Sequence, residues 1–171
     1  MNTREHSPQA MARHVATSWR HALFGAAALA ALSVASPSSA QPLNAREQAA
    51  LDVRYLQTEL MVAALSCGRT EYHTYYNNFV SKFGNSLKRH SNVMKAYFTR
   101  EYGAQGGKQL DTYVTRLANE ASLRSMQQAS FCQDSKALFE RVAATDAPSL
   151  EGLSAAIARN REMVASGTPA R

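Results

Sequence analysis

The sequence predicts an all-α fold: a small helical bundle of four to five helices, closed by one disulfide and preceded by a signal peptide. Three observations lead there. Apolar residues recur at alternating steps of three and four through most of the chain, the period of helices buried on one side. No stretch alternates apolar and polar residues between turn signals, as a half-buried strand does. Two cysteines, Cys67 and Cys132, each end or follow a predicted helix.

Residues 1–40 read as a signal peptide rather than as part of the fold. Arg4, Arg13 and Arg20 make the start basic, Ala22 to Ala35 is an uncharged alanine- and leucine-rich run, and Ser38-Ser39-Ala40 places small residues at a cleavage site. A spanning helix needs about 20 apolar residues, more than this run supplies. No twin arginine precedes the run, which points to the general secretion route. No cysteine stands at the cleavage site, which argues against a lipoprotein. Met11 offers an alternative start to Met1. Cleavage near Ala40 places the protein in the periplasm or outside the cell, with no transmembrane segment after processing. The expected organisation is signal peptide 1–40, helical domain 41–164 and disordered tail 165–171. Removing Arg4, Arg13, Arg20 and Glu5 lowers the net charge from +6 to +4. A modest positive charge suits an anionic envelope without identifying a partner.

The first helix runs from Arg46 to Cys67, with Ala49, Val53, Leu56, Leu60, Ala63 and Cys67 on one face. Asn44 is its N-cap and Glu47, three residues on, completes a capping box. Gly68 suits the left-handed conformation that ends helices. Thr70 caps the second helix and Glu71 favours its positive end. Its stripe runs through Tyr72, Tyr76, Phe79, Phe83, Leu87, His90, Met94 and Tyr97, and Gly103 stops it. Gly84 is a weak point inside it, because glycine costs about 1 kcal/mol there relative to alanine. The third helix spans about Lys108 to Gln128, with Leu110, Val114, Leu117 and Ala121 inward. Its stripe turns polar at Ser125 and Gln128, which suggests a break before Cys132. A short helix follows from Ser135 to Ala144, and Ser149 caps a last one carrying Leu150, Leu153 and Ile157. Short connections make neighbouring helices mostly antiparallel.

Cys67 has three readings: disulfide partner, nucleophile or metal ligand. An even cysteine count in an exported chain favours the disulfide Cys67–Cys132, closing a loop of 65 residues. A nucleophile needs a base and a depressed pKa. Cys67 lies at the negative end of its helix, which disfavours a thiolate. The histidines of the mature chain, His73 and His90, lack the spacing of a zinc site. His90 falls near the centre of the apolar face and His73 at its edge. There is no Cys-x-x-Cys-His for haem. Residues 102–110, YGAQGGKQL, miss a phosphate loop at both flanking positions. Asp111 and Glu120 are too far apart to pair, and no Gly-x-Ser-x-Gly or His-Glu-x-x-His occurs. No catalytic, cofactor or metal residue is therefore assigned.

Between Glu71 and Glu101 the chain holds no acid but carries Lys82, Lys88, Arg89, Lys95 and Arg100 among aromatics. Such a segment is a candidate contact for an anionic surface or polymer. At about 100° per residue, Lys82, Arg89 and Arg100 fall on one flank of the apolar face, Lys88 and Lys95 on the other. The cations therefore do not form one stripe. An exported protein also rarely meets nucleic acid, so none is expected as a partner.

LQTELMVAALSCGR (56–69), YNNFVSKF (76–83), YVTRLANEAS (113–122) and the Phe131-Cys132 pair resemble a family of small exported proteobacterial proteins. The resemblance covers about residues 50–134 and carries over no catalytic residue. Some members are labelled S-adenosyl-L-homocysteine hydrolase, an activity of a large NAD-dependent Rossmann enzyme. This chain is short, reads as all-helical and has no Gly-x-Gly-x-x-Gly. The resulting expectation is an exported, non-catalytic helical domain that binds an envelope protein or component. Its rivals are an anionic-surface binder and an enzyme with a site no motif reveals.

Overall fold

The structure, a computed structural model, describes residues 42–68 and 70–166. The expected signal peptide 1–40 and the end of the expected tail, 167–171, lie outside the described residues. Five α-helices follow one another: α1 (Ala45–Ser66), α2 (Thr70–Tyr102), α3 (Gly106–Gln127), α4 (Phe131–Ala144) and α5 (Leu150–Ser166). No strand occurs among the described residues. None of the described helices is long and apolar enough to cross a membrane.

α1 is the hub, and it packs against each of the other four helices. Its composition explains this. Val53, Leu56, Leu60 and Ala63 lie on the predicted stripe, while Ala50, Val62 and Ala64 bury neighbouring faces. A helix apolar over so much of its circumference must be enclosed. Its start is fixed by the capping box: the Glu47 N–H donates to Asn44 Oδ1 and the Asn44 N–H to Glu47 Oε2, both at 3.0 Å. Gly68, at φ +63°, turns the chain after the C-cap residue Cys67.

α2 runs unbroken through Gly84. Phe83 and Ser86 on either side are buried, so packing outweighs the local cost of glycine. Gly103, at φ +53°, ends the helix, and a 3₁₀ turn over Gly103–Gln105 leads into α3. Here the backbones nearly touch. A Cβ on Gly106 would lie 2.7 Å from the Phe98 carbonyl oxygen and 2.8 Å from Thr99 Cα.

The chain breaks over 128–130, before Cys132 as the polar turn of the α3 stripe suggested. α4, however, begins at Phe131 rather than Ser135. Phe131 is buried in the main core with Phe139 and Val142, and this anchors an extra turn. Ahead of α5, Asp146 caps the turn by accepting from the Ser149 N–H at 3.1 Å. Ser149 contributes its carbonyl, which accepts from the Leu153 N–H. α5 ends at Ser166, two residues past the expected domain limit of 164.

The disulfide Cys67–Cys132 joins the end of α1 to the first turn of α4, with Cα atoms 5.6 Å apart. Both cysteines pack against the main core. The Tyr72 hydroxyl donates to the Cys132 carbonyl at 2.8 Å, so the first turn of α2 holds the same junction. A second core cluster, around Ala50, Met94 and Phe98, fills the space between α1, α2 and the start of α3.

Candidate functional site

The five candidate cations of α2 divide by role. The Lys82 ammonium donates to the Ala143 carbonyl at 2.6 Å, in the last turn of α4. There it satisfies a terminal carbonyl and complements the negative helix end. Arg100 is also committed. Its guanidinium forms a two-pronged pair with Glu47 and donates from Nε to Glu101 at 2.9 Å. That pair locks the C-terminal turn of α2 to the capped start of α1. The Arg100 contact holds the Glu47 carboxyl below its ordinary range, against the opposing effect of burial.

Lys88, Arg89 and Lys95 remain. All three are exposed and make no hydrogen bond or ion pair with a described residue. Asn92, which lies between them along the helix, is polar and exposed as well. The structure thus leaves three of the five predicted cations on the outside of α2, with no acid of that helix among them, and uses the other two to hold the bundle.

The histidines separate in the same way. His90 is buried, and its Nε2 lies 3.3 Å from Glu151 Oε1, linking α2 to the first turn of α5. Burial lowers its pKa below the usual 6.5; Glu151 opposes the shift and Arg89 reinforces it. His73 is exposed. Cys67 is in the disulfide, so the Cys-His closeness in sequence does not become a catalytic pair. Among the described residues no group of three or more His, Cys, Asp or Glu is placed to hold a metal ion.

A second feature was not visible in the sequence. A groove of about 600 Å³ lies between α3 and α5 and reaches the start of α4, with Tyr55 of α1 as part of its floor. Arg124 pairs with Glu59 behind it, and Arg161 pairs with Glu120 while its guanidinium lies 4.9 Å from the centre of the Tyr55 ring. Burial pushes the Glu59 carboxyl above its ordinary range despite the pull of Arg124. Burial, reinforced by the Glu59 charge, pushes the Tyr55 hydroxyl far up as well. The partners stand 65 and 41 residues apart in sequence, so no local motif signals them.

Fold and site together define, among the described residues, a disulfide-linked bundle of five helices with three unpaired cations on the outside of α2 and an arginine-lined groove between α3 and α5. No protein-family model, curated protein or solved structure matches the chain.

Proposed function

We propose that this is an exported, non-catalytic binding domain that docks on an anionic envelope surface through the outer face of α2. The observation that carries the reading is the set of exposed cations Lys88, Arg89 and Lys95 in a stretch without acids, each without a partner among the described residues. Export is supported by the signal-peptide pattern of residues 1–40, and a disulfide is compatible with an oxidising compartment. The resemblance to small exported proteobacterial proteins belongs to the same reading.

The magnitude sets the kind of binding. Each lysine or arginine near an anionic leaflet contributes about 1 kcal/mol, so three give about 3 kcal/mol. The contact is reversible and salt-sensitive, suited to retention at a surface rather than to a permanent complex. The test is co-sedimentation with vesicles containing anionic lipid, with neutral vesicles and isolated wall polymer as parallel arms. Binding should fall as salt rises, and fall further in a Lys88→Gln/Arg89→Gln/Lys95→Gln variant. Binding that ignores both salt and these substitutions refutes the reading.

A further inference from the structure

We infer that the groove between α3 and α5 binds a small organic carboxylate with an apolar body. The inference rests on a surplus of donors. Arg124 and Arg161 each donate from one guanidinium nitrogen, to Glu59 and Glu120. Their remaining N–H groups have no hydrogen-bond acceptor among the described residues. Asn160 adds an amide to the same lining. The groove's own acids are engaged. Glu120 faces both Arg161 and Arg116, and Asp134 Oδ2 accepts from Gln128 and Ser130 at 2.9 Å. An acceptor-rich ligand complements this lining. A carboxylate does so best, because a planar guanidinium presents paired N–H groups that match its two oxygens.

The acids behind the arginines also orient them. Glu59 is largely buried and holds Arg124 from the α1 side, while Glu120 and the Tyr55 ring hold Arg161 from two directions. Groups fixed before the ligand arrives lose less freedom on binding. Leu123, half exposed, from α3 and Ile157 from α5 add apolar surface to the lining. A volume of about 600 Å³ falls within the usual range of small-molecule sites, about 300–1,000 Å³. This site shares no residue with the α2 face, so it stands or falls independently of the envelope-docking reading.

Two sources supply such a ligand: a fatty acid, or the C-terminus of a short apolar peptide. The test uses the full chain, exported and purified with its disulfide intact. Decanoate is titrated against methyl decanoate, and trileucine against trileucine amide, following amide resonances by NMR. Each acid that binds should do so at least about tenfold more tightly than its neutral counterpart. The tighter of the two acids identifies the source. Arg161→Gln should weaken binding about tenfold with unchanged helicity, since its partner Glu120 is partly exposed and tolerates the loss. Leu123→Asp should weaken it as well, at a position already open to solvent. Equal binding of acid and neutral forms, no binding by either acid, or an Arg161→Gln variant that binds like the parent overturns the site.

Discussion

Gly106→Ala tests the closest packing in the bundle. The added methyl would stand 2.7 Å from the Phe98 carbonyl oxygen, against an ordinary contact of 3.4 Å or more, an overlap of about 0.7 Å. Its three nearest atoms are all backbone atoms of α2, so no side chain can swing aside. α3 must shift away from α2, and overpacking of this kind costs about 1–3 kcal/mol. Alanine regains part of that through helix propensity, about 1 kcal/mol in an interior position and less at the first residue. The net expectation is a loss of about 1–2 kcal/mol. Two other glycines serve as controls. Gly107 and Gly84 have no atom within 4 Å of an added Cβ, and neither has a positive φ. Gly107→Ala should be neutral or mildly stabilising, and Gly84→Ala, in the middle of α2, should gain about 0.5–1 kcal/mol. Urea unfolding followed by helical ellipticity reads all three. If Gly106→Ala and Gly107→Ala have the same midpoint, the close approach of α2 and α3 is wrong.

Two further perturbations probe the junctions between helices. Replacing both Cys67 and Cys132 by serine opens a 65-residue loop, for which chain entropy gives a loss of about 4 kcal/mol; a change under about 1 kcal/mol in urea unfolding would show that the bond does not restrain the unfolded chain as supposed. The lowered pKa of His90 means that its neutral form is favoured in the fold. Its contribution is therefore present above about pH 6.5 and lost as pH falls through the folded value. The urea midpoint should drop less between pH 7 and pH 5 in His90→Gln than in the parent, and identical drops would refute the assignment.

The helices were largely legible because their signals are local. Asn44 and Glu47 lie three residues apart, and Gly68 and Gly103 each mark a turn by a conformation that glycine favours. The disulfide was legible through the cysteine count and the expected export rather than geometry. Differences arise where distant packing decides. The start of α4 depends on Phe131 entering a core built mainly from α1 and α2, which the local pattern that placed the helix start at Ser135 does not register. Gly84 reads as a weak point because propensity is local, whereas the burial of Phe83 and Ser86 is not. The same holds for function. The acid-free run of α2 is plain in sequence, but only the fold separates Lys82 and Arg100, which hold helices together, from Lys88, Arg89 and Lys95. The groove depends on pairs 65 and 41 residues apart and leaves no trace in any spacing.

How the charges are distributed makes the two proposed sites distinguishable. Three arginine–glutamate pairs tie the bundle together: Arg100 joins α2 to α1, Arg124 joins α3 to α1, and Arg161 joins α5 to α3. Each therefore has a carboxylate beside it, and only a ligand that fits between the remaining N–H groups benefits from its charge. Lys88, Arg89 and Lys95 have no such pairing among the described residues, so any dense anionic surface can use them. Screening acts differently on the two cases. Exposed charges are screened over about 8 Å at physiological salt, whereas partly buried pairs are screened much less. Added salt should therefore abolish surface docking by α2 while leaving much of the carboxylate affinity of the groove. If salt removes both in parallel, the groove contributes only diffuse charge. The directional recognition inferred from Arg124 and Arg161 is then wrong.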